Sequence, residues 1–353
     1  MLDSFSDRLL RWHAVSGRHD LPWQIDRSPY RVWVSEIMLQ QTQVATVVPY
    51  FERFVARCPD VASLAAGSLD DVLALWSGLG YYARARNLHR AAQVVVEELD
   101  GKIPDQLDDL MQLPGVGRST AAAILALSAN QRHAILDGNV KRVLARFHAV
   151  AGFPGEAAVA RKLWAHAEQH TPDMSVADYT QAIMDLGATV CARGQPRCAE
   201  CPVADDCKAR LQGVERELPH PRKKRKRAAR EVTVLVVQND AGDTLLERRP
   251  PSGIWGGLLS FPELPNGQQI AAWCGHNLGA APISEESLAS VEHAFTHLDL
   301  TLKPVRLRVE PRAAGVMDGD RWLWYKSARP LPGGVAAPIG KILREVTQLE
   351  SLN

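Results

Sequence analysis

Apolar residues recur at three- and four-residue spacing through the first 190 residues, and no segment there alternates as a strand does. This pattern predicts an all-α domain that opens with an amphipathic helix over 5–15. Further helices are predicted at 29–44, 47–56, 72–76, 85–100, 140–148, 156–170 and 175–190, with one more starting near Arg118. The first part of the chain is therefore expected to be helical up to about residue 190.

The pattern changes at Glu231, where Val232–Val237 reads as a buried strand followed by a turn at Asn239–Asp243. Further strands are predicted at 244–248, 300–309 and 321–325, and helices near 267–277 and at the C-terminus. Residues 231–353 should therefore form an α+β domain. Between the two domains, residues 212–230 predict a basic linker, because Arg222–Arg227 is a run of six basic residues.

Composition agrees with a multidomain globular protein. The chain has 353 residues, of which 46% are hydrophobic and 23% charged, so two or three domains with a sizeable core are expected. The charged N-terminus lacks the apolar block of a signal peptide, and no apolar run approaches the roughly 20 residues of a membrane helix. We expect a soluble, monomeric protein in the cytoplasm or at the nucleoid.

A glycine-rich turn, Leu113–Gly117, separates two helical patterns. Gly115 and Gly117 allow unusual backbone angles and leave amide groups open to the surface, and a helix begins directly after them. Such a turn can hold a phosphate without reading a base, although any helical hairpin would have the same pattern.

Two carboxylates stand out in the helical part. Asp137 lies where a polar loop gives way to a helix, so we expect an N-cap whose pKa is lowered by the helix dipole and free amides. Glu36 lies among apolar residues of the 29–44 segment, and burial there would raise its pKa. The structural alternatives are an ordinary helix cap and a surface glutamate.

Four cysteines fall within 17 residues: Cys191, Cys198, Cys201 and Cys207. Their clustering predicts a metal centre in a reducing compartment rather than a disulfide framework. Zinc and an iron–sulfur cluster both accept four cysteine ligands, so the spacing alone leaves both open.

The order of these motifs resembles the helix-hairpin-helix DNA glycosylases and, within them, the MutY family of adenine DNA glycosylases that act opposite 8-oxoguanine. The resemblance covers nearly the whole chain. Its most specific segments are Ser35–Val44, Trp76–Arg84, the hairpin at 113–119 and Ile135–Leu144. It implies a helix-hairpin-helix over 113–124 within a glycosylase domain at 1–211, and a Nudix-like 8-oxoguanine recognition domain at 231–353.

The resemblance also implies catalytic roles. Glu36 would protonate N7 of adenine, and Asp137 would stabilise positive charge at C1′ of the sugar, with Asn139 beside it. The adenine pocket would be bordered by Arg18, Trp23, Leu39 and Gln181.

Further residues would contact the DNA. The resemblance makes Tyr81 the wedge at the lesion and places Gln40 and Thr42 at the mismatch. The hairpin would contribute Gly115, Gly117 and Ser119. Phe295-Thr296-His297 lies where the family has a Phe-Ser-His loop that senses the lesion; Thr296 departs from that pattern by one methyl group.

The cysteine segment 191–207 resembles the loop that carries a [4Fe–4S] cluster in the endonuclease III group, so the resemblance favours iron over zinc. Ser119 occupies the place of the lysine that cuts the strand in bifunctional relatives, which implies a monofunctional enzyme. The Nudix-like domain has Ala271–His276 where a catalytic Nudix box would carry carboxylates, so pyrophosphate hydrolysis is not expected.

The implied substrate is double-stranded DNA with adenine opposite 8-oxoguanine or guanine. Three alternatives remain: an endonuclease III-like enzyme for oxidised pyrimidines, a mismatch sensor without catalysis, and a Nudix hydrolase with a DNA-targeting domain. Ser119 argues against the first, Glu36 and Asp137 against the second, and the missing Nudix box against the third.

Overall fold

The computed structural model describes residues 4–222, 227–309 and 321–350. Most of the predicted basic run, 223–226, lies outside these residues. The chain forms two compact units: the first comprises 1–66 and 87–224, and the second comprises 67–86 and 225–353.

The first unit is helical, as predicted. Its helices are α1 (Phe5–Ser16), α2 (Pro22–Ile25), α3 (Pro29–Leu39), α4 (Val44–Arg57), α5 (Val61–Ala66), α8 (Leu107–Gln112), α9 (Arg118–Ala129), α10 (Gly138–Phe147), α11 (Ala157–His170), α12 (Val176–Thr189) and α13 (Lys208–Leu211). Helices α6 (Leu69–Leu75) and α7 (Ala83–Glu98) come between α5 and α8, and α6 belongs to the second unit.

The single helix predicted over 29–44 is two helices. Ser28 caps α3 and Pro29 opens it, but the helix ends at Leu39. Gln41 then takes a positive φ of 58°, which a right-handed helix does not permit, and α4 begins at Val44. The polar segment 40–43 is therefore a tight turn.

Helix α9 is the centre of the first unit. Its residues from Ala121 to Leu127 are all buried, because α3 and α12 both pack against it. Helix α12 also packs against α1 and α10. This arrangement brings together the helices that carry Glu36, Asp137 and Gln181.

The second unit contains a mixed sheet. Its strands are β1 (Ala228–Gln238), β2 (Thr244–Arg248), β3 (Leu259–Ser260), β4 (Pro282–Ser287), β5 (Val291–Ala294), β6 (Leu298–Val309) and β7 (Trp322–Tyr325). The order is β3-β2-β1-β6-β4, and β1 runs parallel to β6 over its whole length. Helices α14 (Ile270–Leu278) and α15 (Ala337–Glu350) complete it.

The predicted strands and helices of this unit are confirmed, whereas β3, β4 and β5 were not predicted. Strand β4 is exposed at nearly every position, so it has no apolar alternation for a sequence pattern to show. Helix α14 places Trp273 and Cys274 in the core. It has no carboxylate, in keeping with the expectation for the Nudix box.

The segment Gly67–Arg86 packs with the sheet rather than with the helices that precede it. The hydroxyls of Ser77 and Tyr82 both donate to the carbonyl oxygen of Val335, at 3.0 Å each. Asp70 pairs with Arg248. Residues 67–86 therefore belong to the second compact unit, although they lie within the predicted domain at 1–211. The interactions that place them there join residues far apart in sequence.

Among the described residues, no helix has the length and apolar character needed to span a membrane.

Candidate active site

Glu36 lies on α3 between two buried residues. Ser35 and Ile37 are both buried, and Glu36 keeps only part of its surface exposed. Burial, and next to it the charge of Asp137, raises the pKa of Glu36 to about 8. The carboxyl group is therefore predominantly protonated at pH 7 and can act as an acid.

Asp137 is the N-cap of α10, as the sequence predicts. Its Oδ1 accepts a hydrogen bond from the amide of Val140 at 2.8 Å, and its Oδ2 accepts one from Nδ2 of Asn139 at 3.3 Å. These donors fix the carboxylate at the start of the helix, where the peptide dipoles favour a negative charge.

The predicted direction of the pKa shift of Asp137 was wrong. Burial raises this pKa and outweighs the amides of Val140 and Asn139 and the charges of Arg142 and Lys141, which lower it. Ionisation of Asp137 is in turn one of the causes that raise the pKa of Glu36.

Asn139 is held by α12 and by Arg142. Nη2 of Arg142 donates to Oδ1 of Asn139 at 2.8 Å and to the carbonyl oxygen of Gly187 at 2.5 Å. A Cβ on Gly187 would lie 2.6 Å from Cβ of Asn139, so only glycine permits this close approach. Arg142 was not predicted as a site residue; the three-residue spacing of Asn139 and Arg142 on a predicted helix was the available signal.

Arg18 and Gln181 meet at a buried carboxylate, Asp185. The backbone amide of Arg18 donates to Oδ2 at 2.8 Å, and its Nε and Nη2 donate to Oδ1 at 3.0 and 2.6 Å. Nε2 of Gln181 also donates to Oδ1, at 2.8 Å. Burial alone would raise the pKa of Asp185, but the His13 ring, whose Nε2 lies 3.6 Å from Oδ2, and the hydrogen bonds from Arg18 hold this pKa below its usual value.

Trp23 lies on α2 and Leu39 on α3, two helices that pack against each other. Trp23 is buried on α2 and packs edge-on against Phe51, with ring centroids 5.3 Å apart. Leu39 ends α3, three residues after Glu36, so both lie on the same face of that helix.

The hairpin before α9 has the predicted open form. Gly115 and Gly117 are exposed, but only Gly115 takes a positive φ, of 80°. A Cβ on Gly115 would lie 2.8 Å from Cβ of Asn87, so close packing also favours glycine there. Oγ of Ser119 accepts a hydrogen bond of 2.9 Å from the amide of Leu136, which ties α9 to the residue before Asp137.

The turn after α3 holds Gln40 and Thr42. Nε2 of Gln40 approaches Oγ1 of Thr120 at 3.4 Å, and Oγ1 of Thr42 donates to the carbonyl oxygen of Gln40 at 3.3 Å. Both side chains are partly exposed next to the N-terminal turn of α9. They are thus available to a ligand that approaches this turn.

The four clustered cysteines line one cavity, together with Arg146 and Arg210. None of them forms a disulfide. Nη1 of the buried Arg146 lies 3.3 Å from Sγ of Cys191, a contact that suits a thiolate ligand. Four thiols that share a cavity with two arginines fit an anionic cluster bound through cysteine sulfur.

Tyr81 lies in the second unit, on the turn that precedes α7. It has a positive φ of 50° and a side chain 50% exposed, and the guanidinium of Arg84 lies 5.4 Å from its ring centre. An exposed ring on a strained turn is available for insertion into a base stack.

Residues 295–297 form the turn between β5 and β6, also in the second unit. Thr296 and His297 are exposed, and the amide of Phe295 donates to the carbonyl oxygen of Leu298 at 2.7 Å. A hydroxyl and an imidazole are thus displayed at the tip of a hairpin.

The structure thus links Glu36 with Asp137 electrostatically, Asp137 with Asn139, and Arg18 with Gln181 through Asp185. The other predicted contacts to DNA lie on exposed or partly exposed turns, except Ser119, which lies on the first turn of α9. A neutral carboxylic acid beside a carboxylate is the pair that hydrolysis of a glycosidic bond requires.

Comparison with known proteins gives two matched families. Residues 34–186 match the HhH-GPD superfamily of base excision DNA repair proteins, and residues 233–345 match the Nudix domain. The sequence is 36% identical over 342 residues to the adenine DNA glycosylase of Buchnera aphidicola subsp. Acyrthosiphon pisum (strain APS), covering 96% of each chain. It is 37% identical over 387 residues to that of Homo sapiens, covering 91% of this chain and 70% of the other.

Solved structures agree with the helical fold. A thermostable thymine-DNA glycosylase superposes with a TM-score of 0.54 at 26% identity, covering 59% of this chain and 95% of the other. Endonuclease III in a non-covalent DNA complex superposes with a TM-score of 0.51 at 20% identity, covering 59% and 94%.

Proposed function

Because the chain belongs to the adenine DNA glycosylase family, we propose that it removes adenine mispaired with 8-oxoguanine or guanine by hydrolysis of the N-glycosidic bond. The observation that carries this proposal is a partly buried Glu36 whose pKa is raised to about 8 by burial and by the charge of Asp137, whose carboxyl oxygens accept hydrogen bonds from Val140 and Asn139. Double-stranded DNA with such a mispair is the proposed substrate, and the chain is proposed to act as a monomer.

The proposed role of Glu36 follows from the leaving group. Adenine leaves poorly as an anion, and protonation at N7 allows it to leave as a neutral base. An acid with a pKa of about 8 is present in its protonated form at pH 7 and is still acidic enough to share its proton. An ordinary exposed glutamate would have lost that proton.

The proposed role of Asp137 follows from the sugar. Departure of the base leaves positive charge at C1′, and a fixed carboxylate stabilises that charge. Asp137 is suited to this task because two donors, Val140 and Asn139, hold its oxygens in place before the reaction begins. The protein therefore need not reorganise when the charge develops.

Adenine is buried in a helical stack and must be flipped out before Glu36 can reach it. We propose Arg18, Trp23, Leu39 and Gln181 as the border of its pocket. Support comes from Asp185, which fixes two of them through hydrogen bonds that leave little freedom to either side chain. A preformed pocket lowers the cost of ordering these groups around the base.

The DNA backbone is proposed to bind the hairpin at Gly115, Gly117 and Ser119, where the exposed turn meets the N-terminus of α9. Gln40 and Thr42 are proposed to touch the mispair from the neighbouring turn. Tyr81 is proposed as the wedge, and Phe295-Thr296-His297 as the loop that reads 8-oxoguanine. In this division, residues 1–211 perform excision and residues 231–353, joined by the linker at 212–230, recognise the lesion.

Ser119 supports a monofunctional reaction. A lyase needs an amine to attack C1′, and the hydroxyl of Ser119 instead accepts a hydrogen bond from Leu136. Trapping of a substantial covalent adduct with borohydride would contradict this point and would favour the endonuclease III-like alternative.

We propose that the four cysteines hold a [4Fe–4S] cluster, which when bound would cross-link the segment 191–207. Arg142 and Arg146 both donate to the carbonyl oxygen of Cys191, at 2.7 and 3.2 Å, so this segment is anchored on α10, the helix that Asp137 caps. Analysis of the purified protein for iron and acid-labile sulfide tests the assignment, and zinc in their place would contradict it.

The substrate is tested with a labelled duplex that holds one adenine opposite 8-oxoguanine, with adenine opposite thymine as the control and hot alkali added to half of the samples. Strand cleavage only after alkali, and only in the mispaired duplex, is the expected result. Tight binding without any cleavage would instead favour a mismatch sensor.

A further inference from the structure

Three aromatic side chains of the second unit form a cluster at the base of the 295–297 turn. The ring of Trp255 lies 5.7 Å from that of His293 and 5.6 Å from that of Phe295, and the rings of His293 and Phe295 meet edge-on at 4.6 Å. His297 joins the edge of this group, 6.2 Å from Phe295. Burial lowers the pKa of His293, which favours the neutral ring that packs as an aromatic group.

The loop that carries Trp255 is rigidly built. Trp255 has a positive φ of 55°, a conformation that a bulky residue adopts only when its surroundings enforce it. The carbonyl oxygen of Trp255 accepts from the amide of Leu258 at 3.0 Å. A Cβ on the next residue, Gly256, would lie 2.4 Å from the carbonyl oxygen of Pro251, so the loop is closely packed around the indole's own backbone.

The same loop is attached to the segment that carries Tyr81. Nη1 of Arg86 donates to the carbonyl oxygen of Gly256 at 2.7 Å, and Arg86 lies five residues after Tyr81. Leu73 and Arg86 also lie within 4 Å of where a Cβ of Gly257 would be. One loop thus connects the strained tyrosine turn with the 295–297 hairpin, all within one compact unit.

We propose that Trp255 is a positioning residue for recognition of the base opposite adenine. Its indole supports Phe295 and His293, and through them sets the height and orientation of Thr296 and His297. This inference rests on the proposed function, because it deepens the role given there to the 295–297 turn. The contacts that support this role all lie within the second unit.

The physical basis is the low intrinsic order of an exposed hairpin tip. Thr296 and His297 are both exposed, and no described contact holds the hydroxyl of Thr296 in place. Without the aromatic support, Phe295 would exchange its ring contacts for water and the tip would sample several conformations. Recognition of 8-oxoguanine would then lose the preorganisation that the cluster provides.

The test compares single-turnover adenine excision, by the full chain, from duplexes with adenine opposite 8-oxoguanine and opposite guanine. The variants are Trp255→Ala and Trp255→Phe, and the matched control is Trp322→Ala, which removes a partly buried indole elsewhere in the same unit. The readout is the excision rate opposite 8-oxoguanine divided by the rate opposite guanine. We expect Trp255→Ala to lower this ratio about fivefold or more, and Trp255→Phe to restore most of it. Trp322→Ala should leave the ratio unchanged.

The ratio is the decisive readout because a loss of stability alone would lower both rates together. If Trp255→Ala does not fold, His293→Ala replaces it, since that variant removes one ring from the same cluster and is expected to lower the ratio in the same direction. A ratio that stays within twofold of wild type in the folded variants would overturn the role of Trp255. A wild-type ratio near one would instead overturn the proposal that the 295–297 turn reads 8-oxoguanine.

Discussion

Glu36 and Asp137 titrate as a pair in which the charge of Asp137 adds to the effect of burial on the pKa of Glu36. Both side chains lie among helices of the same unit, and burial raises the pKa of each. In the proposed mechanism, protonated Glu36 donates its proton to the leaving base and the carboxylate of Asp137 stabilises the sugar.

The rate of adenine release should depend on the proton of Glu36. Because the pKa of Glu36 is raised to about 8, the single-turnover rate should fall above about pH 8, where Glu36 loses its proton. Stopped-time assays in overlapping buffers at constant ionic strength measure this profile. A rate that stays level up to pH 9.5 would show that the proton comes from another group.

Glu36→Gln should stabilise the folded protein at high pH. The folded-state pKa of Glu36, about 8, lies above the usual value of 4.5, so the wild-type protein loses stability as the pH rises from 4.5 to 8. The Glu36→Gln variant does not lose this stability, because glutamine does not ionise. At pH 8 we expect the variant to gain about 2 kcal/mol or more in free energy of unfolding, and at pH 4.5 almost nothing.

Denaturant titrations at these two pH values measure the difference. The exposed Glu52 on α4 offers a matched control, since Glu52→Gln should change the free energy of unfolding by about 0.5 kcal/mol or less at both. Equal effects of Glu36→Gln at the two pH values would contradict a raised pKa.

Asp137→Asn should separate binding from chemistry. Asparagine is also a good N-cap, so α10 should keep its start and the protein should still bind the mispaired duplex. Without the fixed negative charge, we expect excision to slow by about 10²–10⁴-fold. Asp60→Asn, at an exposed helix start of the same unit, is the control that should leave the rate unchanged. Nearly wild-type excision by the Asp137→Asn protein would show that the carboxylate of Asp137 is not needed for the reaction.

Gly187→Ala should disturb the position of Asn139. The new Cβ would lie 2.6 Å from Cβ of Asn139 and 3.1 Å from its backbone, so α12 and α10 would have to separate. We expect a loss of about 1–3 kcal/mol in free energy of unfolding, together with slower excision. Gly138→Ala, at an exposed position with no atom within 4 Å of the added carbon, should leave stability unchanged. Equal stability of the two variants would show that the helices adjust without strain.

Local sequence patterns predicted the elements that depend on neighbouring residues. Asp137 was identified as a cap because a polar loop precedes an amphipathic helix there, and β1 was identified from its apolar run. The end of α3 at Leu39 was missed, since apolar residues continue on both sides of the 40–43 turn and no proline or glycine interrupts them.

Features that depend on distant residues were outside the reach of local patterns. The contact of Arg86 with Gly256 spans 170 positions, so the attachment of Gly67–Arg86 to the sheet has no local signal. The pKa of Asp137 was misjudged for a related reason: the helix start was visible in the sequence, whereas the depth of burial depends on how α10 and α12 pack. The partners of Asp185 are likewise fixed only by tertiary structure.

The proposed mechanism depends most directly on protonation of adenine N7 by Glu36. A duplex with 7-deazaadenine opposite 8-oxoguanine tests it most directly, because carbon replaces N7 and the base can no longer accept that proton. We predict that the protein binds this duplex as tightly as the adenine duplex and releases no base under single-turnover conditions. Release of 7-deazaadenine at a rate comparable to that of adenine would contradict the assignment of Glu36 as the acid.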